Sequence, residues 1–130
     1  MNAVQALAFE QADLLQHLLS LDESALDALD FGVIGFDGDT RVTVYNECES
    51  RMAGLNKAKT LGRPLFATVA PCMNNYLVAQ RFEDALAEGV SLDATVDYVL
   101  TLKMRPAKVK LRLLAKPKSD IRYVLVYRPS

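Results

Sequence analysis

A thiol at position 72, directly after Val69-Ala70-Pro71, is one of the few groups in this chain that could form a covalent bond. Most free cysteines are small, buried and inert. A cysteine nucleophile in an enzyme would also need a histidine partner. The single histidine, His17, is distant in sequence, and no Cys-His-Asn pattern is present. The residues by themselves leave Cys72 as an inert or a functional thiol and argue against an enzyme.

Tyr45 and Glu49 lie four positions apart, where a predicted strand gives way to a predicted helical turn. At such a junction both side chains can point into one pocket. The ordinary alternative is a core tyrosine beside an exposed glutamate. Cys48 precedes Glu49, and we interpret it as a semi-buried structural thiol, with a second, competing attachment thiol as the alternative.

The chain has 130 residues and a formal net charge of −1, which indicate one soluble domain. The balanced charge gives no reason to expect nucleic acid or an anionic membrane as a partner. Two cysteines without a repeated Cys/His spacing are too few for a zinc site. The first residues lack a basic segment, and no apolar run approaches the roughly 20 residues that cross a bilayer, so we expect a cytoplasmic protein.

The beginning of the chain is predicted to be helical. Apolar residues recur at helical spacing over residues 3–20, with His17 on the surface. Asp22 or Ser24 can begin a second, short helix that ends before Phe31. We interpret residues 1–28 as an N-terminal cap, and residues 29–130 as the core of the single domain.

The core pattern predicts two strands, three helical segments and then three more strands. These segments cover, in order, residues 32–36, 41–45, 47–53, 57–61, 76–88, 93–102, 108–113 and 122–127. Asp37-Gly38-Asp39 supplies the first hairpin turn. Asn46 and Gly54 cap the first helix, and Gly89 ends the longest one. The strand over 108–113 alternates basic and apolar residues, so we expect its basic residues to face water.

Strands at both ends of the core, with helices grouped between them, indicate an α+β domain built on one antiparallel sheet. A five-stranded antiparallel sheet with helical segments on one face is the PAS fold, here with an N-terminal helical cap. The pattern of elements reaches no further than this fold.

A more specific indication comes from short segments that occur in a fixed order and spacing. They are Phe31-Gly32, Asp37-Gly38-Asp39, Tyr45-Asn46, Glu49, Gly54, Gly62, Val69-Ala70-Pro71-Cys72, Phe82, Gly89, Met104, Pro106 and Lys108-Val109-Lys110. This ordered set resembles the photoactive yellow protein family over residues 20–128. Each piece is common by itself, whereas the whole set, and Val-Ala-Pro-Cys above all, is specific.

The resemblance implies a blue-light receptor in which Cys72 carries p-coumaric acid (4-hydroxycinnamic acid) as a covalent thioester. Tyr45 and a protonated Glu49 would hydrogen-bond the phenolic oxygen, and the Cys72 backbone N–H would hold the thioester carbonyl. Two donors at that oxygen stabilise a phenolate that burial alone would disfavour. The other chromophore-binding residues that the resemblance implies are Ala53, Leu55, Ile34, Leu65, Val69, Ala70, Tyr98, Leu100 and Met104.

The resemblance also implies a mechanism. Light isomerises the chromophore from trans to cis, and Glu49 passes it a proton. The buried, poorly compensated carboxylate that remains would drive partial unfolding of the N-terminal cap. Met104 would assist recovery.

Three positions depart from the family pattern. Ala53 stands where a threonine often donates to the tyrosine, Leu55 where an arginine often covers the pocket, and Leu102 where a pocket tyrosine often lies. We expect these changes to shift the spectrum or the photocycle rate and to leave chromophore attachment intact.

The main alternative is a PAS domain without photoactivity that binds another small ligand or a protein. As a receptor rather than an enzyme, the protein would act on an unidentified downstream signalling protein, as a monomer or a weak homodimer.

Overall fold

The computed structural model describes residues 7–101 and 106–129. In those ranges the helices are α1 (Leu14–Leu19), α2 (Glu23–Asp27), α3 (Glu47–Ala53), α4 (Lys57–Thr60) and α5 (Ala79–Glu88). The strands are β1 (Gly32–Phe36), β2 (Val42–Tyr45), β3 (Leu92–Leu100), β4 (Ala107–Ala115) and β5 (Arg122–Tyr127). A π-helical turn, Leu65–Val69, and a 3₁₀ turn, Pro71–Met73, lie between α4 and α5. In the described part of the chain, no helix combines the length and the apolar character that crossing a bilayer requires.

The five strands form one antiparallel sheet in the order β2-β1-β5-β4-β3. β1 and β2 are a hairpin in which Ile34 lies opposite Tyr45. β5 lies between β1 and β4, so that Val126 has Gly32 on one side and Leu111 on the other. The predicted five-stranded antiparallel sheet, with its helical segments between the second and third strands, is confirmed.

Each face of the sheet carries its own apolar cluster, because successive side chains of a strand point to opposite faces. Ile34 and Val124 belong to one cluster, whereas Val33 and Leu125 belong to the other. The first, here the helix-side cluster, is completed between β2 and β3 by Leu65, Phe66, Val69, Ala70, Met73, Val78, Ala79 and Phe82. The second, here the cap-side cluster, is covered by Phe9, Leu14, Leu15, Leu18, Leu26 and Leu29.

The first helix begins at Leu14, so the prediction of a helix over residues 3–20 is wrong for residues 7–13; residues 1–6 lie outside the described ranges. The carbonyl oxygens of Phe9 and Gln11 accept hydrogen bonds from Nη1 of Arg112 at 2.9 and 2.8 Å. Asp13 has a left-handed backbone with φ of 57°. Since these carbonyls face an arginine from the sheet, the segment packs as a turn rather than as helix.

Arg112 is buried, which corrects the expectation that the basic residues of its strand face water. Its side chain is 7% exposed, and its Nε and Nη2 donate to the two carboxylate oxygens of Asp93 at 2.9 and 2.8 Å. Lys108 and Lys110, on the same face of β4, are exposed as predicted. The alternation predicts the face correctly, but the N-terminal segment covers that face at Arg112.

α5 begins at Ala79, later than the predicted start at residue 76. Oδ1 of Asn75 accepts from the backbone N–H groups of Leu77 and Val78 at 3.0 and 3.2 Å. Such a turn holds the chain outside helical geometry. Tyr76 is accordingly 75% exposed. Gly89 ends the helix in a left-handed conformation, as predicted.

Candidate functional site

Most residues that the sequence indicated for the site meet at the helix-side cluster. Buried within it are Tyr45, Ile34, Leu65, Val69, Ala70 and Leu100, and at its edge pack Leu55, Cys72 and Tyr98. Ala53 is buried at the last position of α3. Met104 and Leu102 lie outside the described residues, so their expected places stay predictions.

Cys72 lies in the 3₁₀ turn and is half-buried against the helix-side cluster. Pro71 occupies the first position of that turn, where its fixed φ suits the geometry and its missing N–H costs nothing. The N–H of Met73 donates to the carbonyl of Ala70 at 2.9 Å and closes the turn. The Val-Ala-Pro segment therefore carries the thiol to the edge of an apolar core without burying it fully.

Two side chains hold the backbone of Cys72 from the next elements. The hydroxyl of Tyr98, on β3, donates to the Cys72 carbonyl. Nδ2 of Asn75 donates to the same carbonyl at 3.2 Å, and also to the Tyr98 hydroxyl. Tyr98 thus fixes the turn that bears the thiol, whereas the sequence indicated it only as an aromatic side chain at the site.

Leu55 covers part of the helix-side cluster just after α3. Gly54 takes a left-handed conformation with φ of 71° and turns the chain there. The hydroxyl of Ser50 donates to the Leu55 carbonyl at 2.7 Å, and the Leu55 N–H donates to the Ser50 carbonyl at 3.2 Å. These bonds hold Leu55 against the edge of the helix-side cluster.

Tyr45 ends β2 and is 2% exposed. Burial raises the pKa of its phenol well above the usual range, and the nearby Glu49 carboxylate raises this pKa further, while the positive charge of Arg128 opposes both. Tyr45 therefore keeps its proton at every physiological pH and is a hydrogen-bond donor at the edge of an apolar space.

Asn46 begins α3 and places Glu49. Its Oδ1 accepts from the N–H of Glu49 at 3.1 Å and from the N–H of Val33 at 2.9 Å. Its Nδ2 donates to the carbonyls of Leu26 and Phe31 at 2.9 and 3.0 Å. The predicted N-cap is confirmed, and the same buried amide joins α3 to β1 and to the end of the cap.

Glu49 is buried, with a side chain that is 1% exposed, and not on the surface. Both of its carboxyl oxygens accept from the guanidinium of Arg128, which follows β5. The distance is 2.8 Å from Nη1 to Oε1 and 3.2 Å from Nη2 to Oε2. Burial raises the pKa of this carboxyl group, while the hydrogen bonds and charge of Arg128 lower it. Burial and Arg128 therefore act in opposite directions on the proton affinity of this group.

Gly32 makes room for this carboxyl group on the surface of β1. A Cβ atom at position 32 would lie only 2.0 Å from Oε1 of Glu49. Any other residue would displace the glutamate side chain, so the glycine belongs to the site.

Cys48 is buried beside Glu49, and burial followed by the Glu49 charge raises the pKa of its thiol. A thiol with a raised pKa carries less of the reactive thiolate, in keeping with the structural role that the sequence suggested. Among the described residues, no group of three or more His, Cys, Asp or Glu side chains is arranged to hold a metal ion.

The sequence missed Arg128, Gly32 and Asn75 as parts of this site. Arg128 and Glu49 are 79 positions apart. The only local signal was a charged residue directly after an apolar strand. Asn75 gave the usual signal of a turn-forming residue before a helix.

Comparisons of the sequence and of the structure both find photoactive yellow proteins among the similar proteins. No protein-family model matches the chain. The photoactive yellow protein of Halochromatium salexigens is 29% identical over 120 residues, covering 92% of this chain and 95% of that protein. The photoactive yellow protein of Rhodothalassium salexigens is 27% identical over 125 residues, covering 96% and 99%.

Among solved structures, the chain is similar to the photoactive yellow protein domain from the sensor histidine kinase Ppr of Rhodospirillum centenum. The identity is 32% and the TM-score 0.79, over 87% of this chain and 98% of that domain. The PAS domain of an HTR-like protein from Haloarcula marismortui has a TM-score of 0.61 at 14% identity, over 89% and 97%. This second likeness concerns the fold alone.

Proposed function

The chain belongs to the photoactive yellow protein family, and from that premise we propose that it is a blue-light receptor that carries p-coumaric acid as a thioester on Cys72. The family and the PAS fold are those of sensory receptors rather than enzymes. The observation that carries the proposal is the placement of Cys72 and Tyr45 on one apolar cluster, with the buried Glu49 in electrostatic contact with Tyr45.

The chemistry of these side chains fits a covalent hydroxycinnamoyl group. Cys72 is half-buried, so its thiol can react from solvent and its product can lie against the apolar cluster. Tyr45 stays protonated because burial raises its pKa, and burial also favours the protonated form of Glu49. A phenolic oxygen would thus meet two possible donors in an otherwise apolar setting. Such donors stabilise the phenolate against the cost of burial.

Bound in this way, the group would supply absorption of blue light and trans–cis isomerisation. The protein would supply the rest. Tyr45 and Glu49 donate to the phenolic oxygen, Tyr98 and Asn75 hold the turn that bears the thioester, and Leu55 excludes water from one side. Met104 would assist recovery of the dark state, the role that the family resemblance implies for it.

Signalling would begin at the carboxyl group of Glu49. Transfer of its proton to the phenolate oxygen breaks the O–H bond of the acid and leaves a carboxylate in a buried position. A buried carboxylate is costly unless it is paired and hydrogen-bonded, and the bonds from Arg128 offset only part of the effect of burial on Glu49. We expect the change to loosen the packing of the N-terminal cap, an order–disorder switch that a downstream signalling protein can sense.

Reconstitution tests the proposal. Chromophore-free protein is incubated with the anhydride of p-coumaric acid, which acylates the thiol and releases one p-coumarate. Intact mass and the absorption spectrum are then recorded. We expect one adduct and a blue absorption band near neutral pH for the unchanged protein and for Cys48→Ala, and neither for Cys72→Ala.

An adduct that persists in Cys72→Ala would place attachment elsewhere. An adduct without a blue band at any pH would favour a PAS domain that is not photoactive.

A further inference from the structure

The hydrogen-bonded pair of Glu49 and Arg128 does not agree with the expectation that a charged Glu49 is poorly compensated. Arg128 is well placed to compensate it, because its guanidinium faces both carboxyl oxygens in a parallel, two-bond arrangement. Such paired bonds between arginine and a carboxylate are stronger and more directional than a single contact. The arginine side chain is 15% exposed, so water screens the pair only weakly.

Three separate elements fix this pair. Glu49 lies in the first turn of α3, where Asn46 holds its backbone. Gly32 of β1 forms the surface against which the carboxyl group rests. Arg128 follows β5, whose residue Val126 pairs with Gly32. Since β1 and β5 are neighbouring strands, the position of the arginine relative to the glutamate is set by the sheet itself.

The other titratable groups near Glu49 differ in whether they interact with its charge directly. Tyr45, at the end of β2, and Cys48, in α3, are both buried neighbours that interact with its charge. Asp30 and Arg51 act electrostatically on Cys48, and neither is bonded to Glu49 in the described structure. In residues 7–101 and 106–129, Arg128 is the one cation that forms hydrogen bonds to this carboxyl group.

We propose that Arg128 is the built-in counter-charge of Glu49 and sets how readily this glutamate gives up its proton. With the acid, one carboxyl oxygen can still accept from the arginine while the O–H is donated elsewhere. With the carboxylate, both oxygens accept from the arginine, as observed. Arg128 therefore favours the carboxylate. The part of this inference that concerns light signalling rests on the proposed function, whereas the pairing itself does not.

The first test needs no chromophore. The Glu49 carboxyl carbon is followed by ¹³C NMR through a pH titration in the full chain, with the signal assigned by its loss in Glu49→Gln. Removal of a bonded opposite charge typically raises a carboxyl pKa by about one to three units. We expect a rise of that order for Arg128→Gln.

Arg51→Gln is the matched control, because it removes the same charge from a neighbouring, exposed position that is not bonded to Glu49. We expect it to move the titration midpoint by no more than a few tenths of a unit. Arg128→Lys keeps the charge without the two-bond geometry, so its midpoint should lie between the unchanged protein and Arg128→Gln. It also serves if Arg128→Gln does not fold. An unchanged midpoint in the Arg128 variants, or an equal shift in Arg51→Gln, would overturn the proposal.

The second test uses the loaded protein. Since Arg128→Gln raises the pKa of Glu49, the protonated donor to the phenolate should persist to higher pH than in the unchanged protein. The infrared C=O stretch of the Glu49 acid, assigned by its loss in Glu49→Gln, measures this. Loss of the C=O stretch at the same pH as in the unchanged protein, or at a lower pH, would contradict the proposed role in signalling. If the NMR shift is seen while no variant acquires a blue band, the pairing stands and the proposed function fails. If the blue band is normal while the NMR midpoint does not shift, the proposed function stands and the proposed role of Arg128 fails.

Discussion

At the scale of single residues, Glu49 owes its behaviour to neighbours that are distant in sequence. A buried carboxyl group is normally driven toward its neutral form. Here a glycine gives it space on β1 and an arginine gives it a charge partner after β5. The balance between burial and pairing, rather than either one, decides whether the group holds a proton.

This balance predicts how the stability of the protein depends on pH. Burial gives Glu49 a folded-state pKa above its unfolded value of about 4.3. Its favourable contribution to the free energy of unfolding is therefore complete below that value and is lost as the pH rises through the folded pKa. Arg128→Gln raises the folded pKa further. We expect this variant to lose about 3 kcal/mol near pH 7 and progressively less as Glu49 becomes protonated in acid.

Urea unfolding at a series of pH values measures the difference. In a Glu49→Gln background, the effect of Arg128→Gln should no longer depend on pH. A constant loss of stability from pH 7 to pH 4 in the original background would show that Arg128 acts by packing alone.

At the scale of secondary-structure elements, Arg112 joins the N-terminal cap to the sheet. It binds the Asp93 carboxylate on the edge strand β3 and the carbonyls of Phe9 and Gln11 in the segment before α1. A guanidinium with five donors can make all these contacts at once. The segment is therefore tied to the sheet by its backbone, independently of its apolar side chains.

Asp93→Asn tests this connection. It leaves a buried guanidinium without its charged partner, and we expect a loss of about 2 kcal/mol, with faster hydrogen exchange in residues 14–19. Asp97→Asn is the control on the same strand, because the Asp97–Lys110 pair is exposed on both sides. Its expected cost is about 0.5 kcal/mol or less. Equal costs for the two variants would contradict a specific role for Arg112.

The elements also differ in how far the sequence could predict them. β1, α3 and the end of α5 were predicted because their signals are local: an apolar run before a turn, Asn46 and Gly54 as caps, and Gly89. The start of α1 and the burial of Arg112 could not be predicted from local signals. Both depend on the contact between Arg112 on β4 and the carbonyl of Gln11 in the segment before α1. The Tyr45, Glu49 and Cys72 set came from family spacing, whereas Arg128 depends on strand order.

At the scale of the whole molecule, two successive residues connect the faces of the sheet. Arg128 bonds to Glu49 on the helix side. Tyr127, on the cap side, packs against Phe9 in a tilted arrangement with ring centroids 5.4 Å apart. Phe9 also meets Phe31 edge-on, with centroids 5.8 Å apart. A movement of residues 127 and 128 would therefore disturb both the Arg128–Glu49 bond and the packing of Tyr127 against Phe9 in the cap.

Phe9→Ala tests whether the cap can loosen separately from the site. Truncation of a buried aromatic side chain costs about 3 kcal/mol or more. We expect faster hydrogen exchange and proteolysis in the segment before α2. Attachment of p-coumaric acid to Cys72 should be unchanged, because the thiol lies on the other face of the sheet. Loss of attachment while α1 stays protected would mean that Phe9 supports the site directly.

The central position of β5 in the sheet also affects how the chain folds during translation. β1 with β2, and β3 with β4, are hairpins of neighbouring segments that can pair as soon as they emerge. In the sheet of the described residues, β5 is the strand that joins the two hairpins by hydrogen bonds, and it is translated after both. Until residues 122–127 leave the exit tunnel, both hairpins expose an unpaired strand edge, a state prone to wrong pairing. Folding of the nascent chain is therefore expected to finish in a single late step, when the last strand enters the gap and brings Arg128 to Glu49.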